Sequence, residues 1–159
     1  APYAYHLQAP ILLVKPTGVP GATRNAIVAG GFTRAEVIGG TSAIPASVAG
    51  ALGIAYERID GADRYATAAN VAKWADAKGL AGFGHVGVAT GTGFADALGG
   101  GAGVGAQGGV VLLTKPATVP GYTQAAVSAH AAEVRTLWVL GGTAAVSDAT
   151  MQTLIGLLP

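Results

Sequence analysis

The sequence predicts an α/β fold: a Rossmann-like three-layer αβα sandwich with a mainly parallel sheet, built from a tandem repeat. Three observations carry this. Short β-branched runs alternate strictly with alanine-rich stretches of helical length, an order that implies parallel pairing with helices on both faces. The strand runs are continuously apolar, as expected where both faces of a sheet are covered. Two stretches of the chain also answer each other at an offset of about one hundred residues, longer than the usual solenoid periods.

In chain order, strands are expected at 11–14, 36–38, 55–59, 85–89, 110–114 and 137–140. The clearest helix starts after Asp63, whose carboxylate suits an N-cap because it accepts from the N–H groups of the first turn. Tyr65, Ala68, Ala69, Ala72 and Trp74 form a face at helical spacing, and Lys78-Gly79 supplies a C-terminal cation and glycine. Further helices are expected over 94–107, 119–130 and 146–157, with Ser147 capping the last. The small side chains let helices approach the sheet closely.

The repeat sets the domain organisation. Residues 11–30 (ILLVKPTGVPGATRNAIVAG) align with 111–130 (VLLTKPATVPGYTQAAVSAH) with half the positions identical. After a two-residue slip, Val37-Ile38-Gly39-Gly40-Thr41 answers Val139-Leu140-Gly141-Gly142-Thr143. Residues 1–10 align with 101–110 with little identity, and 54–100 have no earlier counterpart. The expectation is therefore the back half of one unit over 1–53, then a whole unit over 54–159, as in a piece of a longer array.

Composition excludes several classes. Charged residues are 11% and hydrophobic residues 51% of 159, which is ample apolar material for a core and unlike a disordered chain. The 26 glycines do not recur every third residue and only 8 prolines accompany them, so collagen is excluded. A net charge of +1 offers no field for nucleic acid. No apolar run reaches the about 18–20 residues of a membrane span, and the first eight residues lack the basic start and apolar stretch of a signal peptide. With no cysteine, disulfides and thiolate metal sites are out. His6, His85 and His130 are isolated from one another and from carboxylates at ligand spacing, so no metal site is expected. His85, opening a strand, reads as a partly exposed structural residue.

Ligands of an open parallel sheet bind beyond the carboxyl ends of its strands. This singles out the loops at 60–64, 90–96, 114–116 and 141–143, with Lys15 and Thr41 in the matching loops of the partial unit. Thr90-Gly91-Thr92-Gly93 ends a strand and opens a helix, where backbone N–H groups suit an anion. It lacks the third glycine of a dinucleotide fingerprint, since Asp96 stands there. The formal G-x-G-x-x-G at 103–108 lies between a helix and the next strand, the wrong side for pyrophosphate, and no G-K-[ST] exists. Arg64 and Asp96 open neighbouring helices, so a salt bridge between them is one expectation. Arg64 acting with Lys115 as a cationic spot for an anionic ligand is the other. No nucleophile, base and orienting acid occur together, so no hydrolase site is expected, and no cofactor is expected.

The ordered blocks Arg58-Ile59-Asp60-Gly61-Ala62-Asp63-Arg64-Tyr65-Ala66, Phe94-Ala95-Asp96-Ala97-Leu98, Val110-Val111-Leu112-Leu113-Thr114 and Val139-Leu140-Gly141-Gly142-Thr143 resemble the cell wall-binding repeat 2 family of bacterial surface and S-layer proteins. All four run through 54–159, and the last two recur in 11–53. The resemblance implies Rossmann-like modules, usually three in tandem around a pseudo-threefold axis. It also implies non-catalytic, non-covalent anchoring of a secreted protein to an anionic secondary polymer of a Gram-positive cell wall. An Ile-Leu-Leu motif is associated with polymer attachment in that family. Here it matches Ile11-Leu12-Leu13, while Val111 departs at the first position. Those residues also suit a buried parallel strand, which is the reading preferred for them. The candidate ligand-binding set therefore joins the loop residues Arg64, Asp96, Lys115, Thr90, Gly91, Gly93 and Lys15 to the motif residues Ile11, Leu12 and Leu13. Partners would be the wall polymer and neighbouring repeats or other chains, including a homo-oligomer. Two alternatives remain open: a small-molecule or nucleotide-binding Rossmann-like domain, and a self-associating structural surface-layer segment.

Overall fold

A computed structural model describes all 159 residues. Seven helices and five strands, alternating from α2 onward, run in the order α1 (Pro2–His6), α2 (Gly21–Ala29), β1 (Arg34–Ile38), α3 (Ala46–Gly50), β2 (Ala55–Ile59), α4 (Arg64–Ala77), β3 (His85–Thr90), α5 (Ala95–Ala106), β4 (Val110–Thr114), α6 (Gly121–Ala129), β5 (Thr136–Leu140) and α7 (Asp148–Ile155). Every strand pairing is parallel. The strands form two sheets, a pair β1-β2 and a trio β4-β3-β5.

The trio is the middle of a three-layer sandwich. Val86 and Val88 of β3 and Val110 and Leu112 of β4 point to one face, where they meet Ala69 and Ala72 of α4, Ala126 and Val127 of α6 and Leu154 of α7. Gly87 and Val111 point to the other face, under α5. A Cβ on Gly87 would come within 2.7 Å of Val104, and one on Gly100 within 2.6 Å of Leu140. Glycine on both surfaces is what allows α5 to settle so near the strands.

The caps fall as the residues suggest. Asp63 accepts from the N–H groups of Tyr65 and Ala66 at 2.9 and 2.8 Å, and Ser147 accepts from that of Thr150 at 3.2 Å. Gly79 follows the C-cap Lys78 with φ of +67°, a left-handed geometry that a side chain resists.

One expected strand is absent. Residues 11–14 have no regular secondary structure and belong to no ladder, and Ile11 and Leu13 are 56% and 79% exposed. The expectation of a buried parallel strand at Ile11-Leu12-Leu13 is therefore corrected. Its counterpart β4 is held by β3, and the counterpart of β3 is not among these residues. An apolar run becomes a strand only beside a hydrogen-bonding neighbour.

The corner that follows is nevertheless the same in both copies. Thr23 donates from Oγ1 to the Leu13 carbonyl at 2.6 Å, and Thr123 donates to the Leu113 carbonyl at 2.6 Å. Thr123 is fully buried. Thr123→Val keeps the shape but leaves that carbonyl unpaired, so it should cost about 1–3 kcal/mol in denaturant unfolding. Thr23→Val, beside the exposed segment, should cost less.

The two copies are joined in two ways. β2 is assigned to the second copy by the repeat, yet it pairs with β1 of the first, from Arg34 opposite Ala55 to Ile38 opposite Ile59. Meanwhile α1 packs on α5, because Gly101 and Gly105 present no side chain there. A Cβ on Gly105 would lie 2.9 Å from the backbone of Pro2. Tyr3 completes the contact edge-on to Trp74, with ring centroids 5.3 Å apart. Residues 1–53 thus pack against the second copy within one chain.

Candidate functional site

The carboxyl ends of β3 and β4 bring together Arg64, Tyr65, Gly91 and Lys115. Arg64 is the first residue of α4, held there by the Asp63 cap. Its guanidinium donates to the Gly91 carbonyl. Tyr65 is buried beneath it, with its ring against Gly91. Lys115, just past β4, sets its Nζ 6.0 Å from the centroid of that ring, within the usual reach of a cation–π contact. The ion pairs of the chain are Arg34 with Glu36, Arg34 with Glu57 and His130 with Glu133. Arg64 and Lys115 are in none of them, and both are exposed.

Three expectations need correcting here. Arg64 forms no salt bridge with Asp96; its hydrogen bond goes to the Gly91 carbonyl instead. Asp96 lies half-buried on the far side of its loop against Gly141, whose Cβ position is 2.5 Å from a carboxylate oxygen. The Gly91 N–H is not free for an anion, because it donates to the Thr114 carbonyl at 2.7 Å and so extends the β3–β4 ladder. Gly91 is glycine for a packing reason: a Cβ would stand 2.6 Å from the Tyr65 ring.

Thr90 is buried and turned on its own loop, its hydroxyl 2.8 Å from that of Thr92. Gly93 is exposed, and its N–H makes no hydrogen bond within the chain. Lys15 occupies the matching loop of the first copy, where its backbone pairs with Gly18. Ile11, Leu12 and Leu13 lie with that copy, apart from the Arg64 cluster. His85 is half-buried and stacks on Trp138 at 5.7 Å, as befits a structural residue.

Two residues of consequence were not singled out by their sequence. Tyr65 reads as one more member of the apolar face of α4, yet it is the platform beneath Lys115. Arg58 is half-buried in β2 and donates to the carbonyls of Gly39 and Ile44, clasping the loop between β1 and α3. Its position two residues before Asp60, beside Glu57 in a strand that a buried sheet would make apolar, was the available signal.

No helix is long and apolar enough to cross a membrane. Among curated proteins none matches the sequence. Solved structures that share the fold include two cell wall proteins. Cwp6 from Clostridium difficile matches with a TM-score of 0.84 and 21% identity, over 99% of this chain and 25% of that one. Cwp8 from Clostridium difficile matches with a TM-score of 0.73 and 24% identity, over 99% of this chain and 26% of that one. The chain thus spans about a quarter of the length of each. The model of the Cell wall binding domain 2 family matches residues 58–151, from the clasping Arg58 through the Tyr65 platform to α7. The chain belongs to the Cell wall binding domain 2 family, and it is a cell wall-binding module of the cell surface.

Proposed function

We propose that the module anchors a secreted protein non-covalently, and without catalysis, by binding an anionic secondary polymer of the wall. Arg64 and Lys115 are the cations that meet its phosphate or carboxylate groups. The observation that supports this is their joint position around Tyr65, beyond the carboxyl ends of a parallel sheet, with no carboxylate partner for either. The Arg64 guanidinium spends one N–H on the Gly91 carbonyl, which fixes its plane and leaves the remaining donors for a ligand oxygen. The Gly93 N–H, at the entry to α5, adds a further donor. Lys15 repeats the Lys115 position in the first copy, so weak contacts multiply along an array by avidity. In this reading Thr90 shapes the loop, Asp96 borders the site, and Ile11, Leu12 and Leu13 serve the fold rather than the polymer.

Retention on purified Gram-positive walls tests the reading. Arg64→Ala and Lys115→Ala should each weaken it by roughly tenfold, the loss expected of one charge-assisted contact. Retention should also fall with added salt. Equal retention by walls stripped of their secondary polymer would overturn the assignment.

A further inference from the structure

Tyr65 is the most buried of the five tyrosines, 9% exposed where the other four are half-buried or exposed. Its ring is fixed along one edge. Cε1 and Cζ stand 2.6 and 3.1 Å from the Cβ position of Gly91, and Cδ of Arg64 stands 3.2 Å from the same point. The hydroxyl carried by Cζ therefore leaves the core beside the base of the Arg64 guanidinium. Lys115 comes over the same ring, with Nζ 6.0 Å from the centroid.

A buried phenol ordinarily finds a hydrogen-bond partner. This one has none within the chain, because the acceptors of the same loops are committed elsewhere. The Gly91 carbonyl takes the Arg64 guanidinium. The Asp63 carboxylate takes the N–H groups of Tyr65 and Ala66, and the hydroxyls of Thr90 and Thr92 face each other at 2.8 Å. Nor is the phenol sealed in. The one fully buried side-chain polar atom without a partner is Nδ1 of His85, so the Tyr65 hydroxyl keeps an opening to the surface. A polar tip held there beside two cations is placed for an acceptor from outside the chain.

We infer that the Tyr65 hydroxyl is the third donor of a cradle for one oxyanion, completing the pair Arg64 and Lys115. The inference rests on the anion-binding reading of that pair and adds the chemistry that the site selects. A guanidinium and an ammonium can only donate. With the nearby acceptors occupied, the hydroxyl is left to donate as well. A group seated there must therefore accept from every side. An ionised phosphodiester or carboxylate does so, whereas a neutral sugar does not, since each of its hydroxyls must also donate. The cations draw any anion by charge, which acts at a distance. A hydroxyl bond has a fixed length and direction, so Tyr65 selects which oxyanion stays and is more than a platform.

Tyr65→Phe tests the inference. It keeps the ring against Gly91 and beneath Lys115, and it removes a hydroxyl that pairs with nothing in the chain. The thermal midpoint should stay where it is. Retention on purified Gram-positive walls should fall roughly fivefold to tenfold, the loss of one hydrogen bond to an ionised group. Tyr56→Phe, at an exposed tyrosine of β2, should be retained like the native chain. Full retention of Tyr65→Phe, with Arg64→Ala and Lys115→Ala both weakened, would overturn the inference and leave the anion-binding reading standing. Full retention of all three would overturn both. A loss by Tyr65→Phe that comes with a midpoint lowered by several degrees would assign the hydroxyl to the fold and overturn the inference as well. Competition at constant ionic strength completes the test. Dimethyl phosphate or acetate should release the native chain, and the more effective of the two identifies the oxyanion as phosphodiester or carboxylate. Release by glucose and by neither salt would overturn the cradle of donors.

Discussion

Gly91→Val should both destabilise the module and disable the cationic site. The added Cβ stands 2.6 Å from Cε1 of Tyr65 and 3.2 Å from Cδ of Arg64, and Tyr65 is a buried ring with no space to retreat. Overpacking of this kind costs about 1–3 kcal/mol. For a chain of this length that corresponds to a fall in the thermal midpoint of roughly 3–10 °C. The functional loss should exceed the stability loss. Displacing Tyr65 removes the platform under Lys115 and tilts the start of α4, so one substitution moves both cations. Wall retention measured well below the new midpoint should therefore fall further than with Arg64→Ala alone. Unaltered retention with a lowered midpoint would show that Tyr65 and Gly91 matter only for packing.

Gly105→Leu should release α1 from α5 while the trio of strands stays folded. The substituted side chain would run into the Pro2 backbone at 2.9 Å and the Tyr5 Cβ at 3.0 Å. A five-residue helix cannot hold its shape once undocked. Tyr3 would leave Trp74, and the tryptophan emission should shift to the red without loss of the cooperative transition. Alkaline titration reports on the same contact. Burial, then the nearby Glu36 carboxylate, raises the Tyr3 phenol to about 12. A group whose folded value is raised holds its proton more tightly when folded. Its contribution is complete below pH 10, the unfolded value, and is lost as the pH climbs towards 12. Emission of the native chain should therefore move to the red over that interval, whereas that of Gly105→Leu should already be there.

These two glycines also show which parts of the molecule are legible in the sequence. The order of elements from β2 to α7 and the Asp63 and Ser147 caps follow from local pattern, and the twin corners from the repeat, whereas the short helices α1 and α3 carry no such signal. The convergence of Arg64 and Lys115 is legible too, because strand ends in a parallel sheet share an edge. The choice of partner within that edge was not legible. Arg64 prefers a carbonyl to the Asp96 carboxylate because the Gly91 backbone lies close against Tyr65, a matter of tenths of an ångström. The G-x-G-x-x-G at 103–108 spells a phosphate loop in letters only. Gly105 makes room for α1, and Gly108 takes a left-handed turn with φ of +68°. Residues 11–14 carry the pattern of a strand, but pattern alone cannot supply the neighbour that would make them one.

The pairing of β1 with β2 has a mechanical consequence. Tension along the polypeptide would enter β1 at Arg34 and leave β2 at Ile59, the opposite ends of a parallel ladder. Load applied that way shears all the rungs together instead of unzipping them one by one. The two copies therefore share load as a spliced rope does, each holding the other's end.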